Sequence, residues 1–176
     1  LIRMLRGAGV LEFRIAVEAQ RTLGVDVDDL RRQLAEVGAD AAASPLARWF
    51  KINQLKQWYD SDEELAALEA DPVGFFSARR NLVAGERDGE YYLLLFTNAT
   101  NSMTHDGDSR WSIEKAYRTV DSLGRPAVGF ELNQSGAIKM SQLTSNHLQE
   151  PMAIVLDGEV FSAPNINSTI SSSGSI

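Results

Sequence analysis

Hydrophobic and polar positions alternate along Val10-Leu-Glu-Phe-Arg-Ile15, with Leu11, Phe13 and Ile15 on one face and Glu12 and Arg14 on the other. This period of two predicts a strand with one buried face. Before it, Leu1 to Leu5 reads as the last turn of a helix, ended by Gly7-Ala-Gly9. Asp28-Asp29 open a helix through about Val37, placed where carboxylates favour the helix dipole. The small residues from Ala39 to Pro45 read as a linker, and Trp49 to Leu55 as a short strand carrying Trp49, Phe50 and Ile52. Ser61 followed by Glu64 is a capping box for a helix over Glu63–Ala70. Asp71-Pro72 starts a second helical segment, with proline at a tolerated first position.

The second half has a different rhythm. Asn81 to Glu86 and Glu90 to Thr97 form a predicted hairpin turned by Asp88-Gly89, because a two-residue type I′ turn needs positive φ at both positions. Asn98 to Arg110 is polar and aperiodic, a loop. Ile113–Val120 and Ala127–Leu132 pair through Ser122-Leu-Gly124. Asn133 caps a helix expected over Ser135–Glu150, and Pro151 stops it. Met152 to Leu156 is an unbroken apolar run, the pattern of a central strand covered on both faces. Asp157-Gly158 repeats the type I′ signal, and the Ser/Gly stretch from Ser168 to Ser175 is expected to fray unless something outside the chain holds it. The expected fold class is α+β: a ferredoxin-like β-α-β sheet with helices on one face and an additional helix and hairpin elaboration.

With 176 residues and 44% hydrophobic content, the chain has enough apolar side chains for a core of its own. It contains no cysteine, which removes thiolate metal sites and disulfides from consideration. A net charge of −7 argues against nucleic acid or an anionic membrane surface as partner. Arg31-Arg32 and Arg79-Arg80 are the short basic clusters, and each reads as a solvated face. No apolar run reaches the ~20 residues that cross a bilayer. The chain opens at Leu1, without an initiator Met or signal peptide, and is expected to be a piece of a longer protein.

Few side chains suggest chemistry. His105-Asp-Gly-Asp108 is the nearest approach to a metal cluster, but its spacing matches no metal loop, so a solvated loop is the better reading. Asp157 with Glu159 could be drawn as an acid–base pair, but the turn already explains Asp157. His147 sits near a predicted helix end, where the dipole favours it. Ser162 lacks the glycine-flanked elbow of a nucleophile, and Gly124 and Gly129 lead into no helix N-terminus. No catalytic, metal or cofactor site is therefore expected. Trp58-Tyr59 and Phe75-Phe76 stand out, because adjacent aromatics on a regular element do not both face inward; one of each pair is a candidate contact surface, against the plainer and favoured reading that they plug the joint between the helical segment and the sheet.

One combination of segments is specific. Leu11-Glu-Phe-Arg-Ile15, then Pro126-Ala-Val-Gly-Phe130, a helix, Ala153-Ile-Val-Leu-Asp-Gly158 and Ala163-Pro164 together resemble the SecD family of protein-export membrane proteins. The resemblance is clearest from Ala116 to Ile166, whereas Ala16 to Arg110 matches poorly and reads as an elaboration. It implies the head region of the first large extracytoplasmic domain of a SecD or SecDF protein. Residues 1–15 would then end a membrane-proximal base segment, 16–170 form the head, and 171–176 lead back. It implies hinge positions at Ala16, Ser171 and Gly174, and contact with unfolded preprotein through Trp58, Tyr59, Phe75 and Phe76. Asp88-Gly89 and Asp157-Gly158 remain structural turns. The implied partners are preprotein and, through the parent protein, SecF and the SecYEG translocon, on the extracytoplasmic side of a bacterial plasma membrane. No cofactor and no enzymatic activity are implied. A scaffold without substrate contact, or a hydrolase using Asp157, Glu159 and His147, are the competing readings.

Overall fold

Strand β1, Leu11–Ile15, pairs antiparallel with β8, Met152–Leu156, so the first predicted strand and the unbroken apolar one lie side by side. The computed structural model describes residues 9–106 and 110–175; the helical turn expected at Leu1 to Leu5 lies outside the described residues. The remaining strands are β2 (Ala47–Ile52), β3 (Ala84–Arg87), β4 (Glu90–Phe96), β5 (Ser102–Met103), β6 (Ile113–Val120), β7 (Pro126–Leu132), β9 (Glu159–Ser162) and β10 (Ser173–Ser175). Four helices accompany them: α1 (Val27–Val37), α2 (Asp62–Ala70), α3 (Pro72–Arg80) and α4 (Gln134–Asn146). Seven strands form one sheet in the order β3-β4-β2-β9-β8-β1-β5, and three form another, β10-β7-β6.

The mixed α/β architecture differs from the expected one in two respects. Helices cover both faces of the large sheet, not one. Met152, Ile154 and Leu156 of β8 point into a core shared with Leu30 and Leu34 of α1 and Met140 and Leu143 of α4. Ala153 and Val155 point the other way, into a core with Leu68 of α2 and Phe75 and Phe76 of α3. The unbroken apolar run of β8 requires this, since alternate side chains of one strand face opposite sides. The second difference is that the strand–helix–strand unit expected to be ferredoxin-like is split: β7 belongs to the small sheet and β8 to the large one.

Three local differences have visible causes. Helix α4 ends at Asn146 rather than Glu150, because Gln149 turns to positive φ (67°) and its N–H donates to Ile166 O at 2.7 Å. The loop from Asn98 contains a two-residue strand, β5, that pairs Met103 with Phe13 and Ser102 with Arg14. The Ser/Gly stretch does not fray. Its β10 segment pairs Gly174 with Phe130 of β7, and Leu132 donates to Ser172 O at 2.7 Å. Only glycine allows that approach, since a Cβ at residue 174 would lie 2.7 Å from the Phe130 ring.

The two hairpin turns have the predicted geometry, with Asp88 and Gly89 at φ 54° and 77° and Asp157 and Gly158 at 51° and 82°. Asp157 does more than turn the chain: its Oδ1 accepts the Val10 N–H at 2.8 Å, and its own N–H donates to Val10 O at 2.9 Å. Gly158→Val is expected to destabilise by ~1–3 kcal/mol through backbone conformation alone, as nothing within 4 Å would meet a new Cβ. Asp157→Asn keeps the acceptor and tolerates positive φ, so its thermal midpoint should match the parent within a degree or two.

Candidate functional site

The corner between the turn at Leu55–Gln57 and α2 is built by short-range capping. Ser61 Oγ accepts the Glu64 N–H at 3.2 Å, while Glu64 Oε2 reaches back to the Asp60 N–H at 2.9 Å. Asp71 caps α3 through the Gly74 N–H at 3.0 Å. Trp58 is thereby laid edge-on against Phe76 with ring centres 5.1 Å apart, and Phe75 packs edge-on to Phe76 at 5.6 Å.

Of the four aromatics singled out in the sequence, only Tyr59 is exposed, at 36%; Trp58, Phe75 and Phe76 are at 8%, 3% and 0%. Phe75 and Phe76 are thus corrected as contact candidates, and with Trp58 they plug the joint between helix and sheet, the favoured of the two readings. Neighbours on a helix lie ~100° apart, and the apolar stripe of a packed helix is at least that wide. Phe75 is further covered by the Arg80 guanidinium, 5.3 Å from its ring centre.

Arg80 organises the polar rim of this corner. It donates to Trp58 O at 2.9 Å, to Glu64 Oε2 at 2.7 Å and to Asp60 Oδ2 at 3.2 Å. Asp60 Oδ1 in turn accepts from Arg125 at 2.8 Å, and Arg125 Nε donates to Asp121 Oδ2 at 2.7 Å. This alternating chain of charges ties the α2–α3 corner to the β6–β7 turn. Arg80 holds the Glu64 carboxyl below the ordinary carboxylate range, helped by the Asp60 N–H. The Arg125 N–H and then its guanidinium do the same for Asp121. A depressed carboxylate contributes stability that is present above its unfolded pKa and lost as pH falls through the folded one. The thermal midpoint should therefore be flat above about pH 5 and fall below about pH 4, with Glu64→Gln removing part of that fall.

Below this rim lies a cleft of about 400 Å³ lined by Trp58, Asp60, Arg80, Asp121, Arg125 and Ser162. Through Asp121, Arg125, Pro164 and Ser175 it continues into a cavity of about 600 Å³ with apolar walls that include Phe130, Ile154, Ile166 and Ile170. The β6–β7 hairpin beside it exposes Tyr117, Val120 and Leu123, at 41%, 62% and 74%. The aromatic pairs pointed to this corner, but Arg80, Arg125 and Ser162 carry no pattern that joins them: Asp60 and Arg125 are 65 residues apart.

The other residues weighed for chemistry have structural partners. His147 Nδ1 lies 2.8 Å from Glu150 Oε2 and its Nε2 3.2 Å from Thr100 O. Glu159 accepts from Asn53 Nδ2 at 2.6 Å. His105 stacks on Trp111 at 4.1 Å and contacts Leu11 O at 3.0 Å; Gly107 and Asp108 lie outside the described residues. Among the described residues no His, Asp and Glu cluster of three or more could hold a metal. Arg31 donates to Ala84 O, Arg32 pairs with Asp29, and Arg79 pairs with Glu63. Of the implied hinge positions, Ala16 is buried and donates to Pro151 O at 2.9 Å, Ser171 is exposed outside regular structure, and Gly174 lies in β10. Among the described residues no helix is long and apolar enough to cross a membrane.

Residues 101–176 match the family model of the SecDF P1 head subdomain. The protein translocase subunit SecD of Rhodobacter capsulatus is 39% identical over 100 residues, which cover 57% of this chain and 17% of that protein. The SecD of Rickettsia typhi is 32% identical over 61% of this chain and 20% of its own length, and that of Aquifex aeolicus 47% identical over 36% and 13%. A crystal structure of SecDF in a super-membrane-facing form aligns over 99% of this chain and 17% of that one, at 21% identity and a TM-score of 0.45. The chain thus spans a fifth or less of the length of these relatives. Over residues 101–176 the chain is thus similar to the P1 head subdomain of SecDF, and these relatives are SecD subunits.

Proposed function

We propose that this chain works in protein export as the extracytoplasmic head of a SecD-type subunit, holding unfolded preprotein by apolar and backbone contacts without turnover. The observation that carries this reading is the β6–β7 hairpin, which lies within the residues matched to the head family, exposes Tyr117, Val120 and Leu123, and lines the larger cavity with Val120. Exposed apolar side chains at a cleft mouth are the features by which an interaction surface differs from ordinary surface. Tyr59 and Trp58 border the same region, whereas Phe75 and Phe76 support it from inside. In this reading the parent protein meets SecF and the SecYEG translocon and spans the bacterial plasma membrane with its own helices. The division into a base segment 1–15, a head 16–170 and a return 171–176 belongs to the same reading.

A translocating chain has to be released, so affinity should be on the order of micromolar or weaker. Apolar contacts should make it nearly independent of salt. A fluorescently labelled, reduced and carboxymethylated polypeptide titrated with the 176-residue chain tests this. Saturable binding that Leu123→Asp weakens several-fold, with an unchanged thermal midpoint, is the expected result. Absence of binding at about millimolar concentration, where even weak complexes form, would leave the scaffold role in its place.

A further inference from the structure

Three tryptophans in this chain are buried, and two of their indole N–H groups have acceptors. Trp49 Nε1 donates to Leu30 O at 3.0 Å and Trp111 Nε1 to Thr104 O at 2.7 Å. Trp58 Nε1 has none, although the residue is 92% buried, as its 8% exposure gives. Ser162 Oγ, likewise inaccessible and without a partner, belongs to the same cleft. Of the three such side-chain atoms among the described residues, these two share one site; the third is Asn98 Oδ1. A buried donor left unpaired costs ~1–3 kcal/mol, and native structures keep few.

We propose that the Trp58–Ser162 cleft is a slot that reads the backbone of an extended polypeptide, with the Trp58 indole N–H and the Ser162 hydroxyl bonding main-chain groups of the occupant. This rests on the preprotein-holding role and assigns it to particular atoms. The charges decide the ligand class. Arg80 and Arg125 are already paired with Asp60, Glu64 and Asp121, so the slot offers no free cation to an anion, and a neutral carbonyl suits the indole donor. The shape agrees, since the cleft of about 400 Å³ runs on into the apolar cavity of about 600 Å³. An elongated chain, with main chain at the polar end and side chains along the apolar stretch, fits such a trough. Hydrogen bonds to main-chain groups give affinity without sequence preference. Both atoms are closed to solvent as the cleft stands, so the occupant reaches them by displacing the Arg125–Asp60 pair at the junction, which is more than half exposed on both sides (56% and 62%) and opens at little cost.

The test is a titration of the ¹⁵N-labelled chain with reduced, carboxymethylated polypeptide, watching the three indole resonances. The Trp58 N–H should shift downfield while those of Trp49 and Trp111 stay. Trp58→Phe and Ser162→Ala should each weaken binding by about three- to tenfold, the worth of one hydrogen bond, while still melting cooperatively. The slot is overturned if the Trp58 resonance stays while the parent binds, or if both variants bind as the parent does. Loss of binding with Leu123→Asp but not with Trp58→Phe or Ser162→Ala would remove the slot and leave preprotein holding intact. No binding by the parent chain would remove both.

Discussion

Val155→Asp is expected to abolish cooperative unfolding of this chain. Val155 is fully buried, paired with Glu12 of β1 on one side and Val160 of β9 on the other, in the core shared with Phe50 and Phe76. A carboxylate there would lie opposite the Glu12 carboxylate, which already holds the buried Arg14 at 3.0 Å, and a buried charge without a partner of its own costs several kcal/mol. Total stability of a domain this size is only ~5–15 kcal/mol. Circular dichroism should show a broad or absent transition. A sharp melt within a few degrees of the parent would mean that β8 is not the two-sided central strand described above.

Phe76→Ala should be the next most damaging change. The side chain is fully buried and edge-on to both Trp58 and Phe75. Truncating such a phenylalanine costs ~3–5 kcal/mol, which for a domain of 150–250 residues lowers the thermal midpoint by about 6–20 °C. Tyr59→Ala, at the exposed member of the neighbouring pair, should stay within about 0.5 kcal/mol of the parent. Equal effects at the two positions would contradict the inward placement of Phe76. Because Phe76 holds the Trp58 ring, its truncation should also weaken polypeptide binding, whereas Tyr59→Ala should change binding without a loss of stability.

Elements whose signal is local were legible in the sequence. β1 and β8 declared themselves by their apolar spacing, α2 by Ser61 and Glu64, and both type I′ turns by Asp-Gly. What depends on a distant partner was not. β5 is two residues long and exists because β1 offers a ladder. β10 forms from Ser173-Gly-Ser175 because β7 has an edge that only a glycine could approach over Phe130. The end of α4 is set by Ile166, not by Pro151. The split of β7 and β8 between two sheets leaves no local trace, since neither the alternation of Val128, Phe130 and Leu132 in β7 nor the apolar run of β8 says which strand each will pair with.

The candidate site was half legible for the same reason. Paired aromatics drew attention to Trp58, but adjacency in sequence exaggerated their exposure. The partners that make a cleft of it, Ser162, Arg125 and Arg80, come from a strand edge, a hairpin turn and a helix end far apart in the chain. An unpaired indole N–H is invisible in a sequence, because it is defined by what does not surround it in space.

The most direct test of the preprotein-holding role uses the full-length parent protein in membranes, with photo-crosslinking groups at Tyr59, Leu123 and Ser162 and an export substrate stalled during translocation. Crosslinks to the stalled chain are expected at all three positions and should be lost when the substrate is released. Crosslinks confined to other parts of the parent, with these three positions silent, would contradict it.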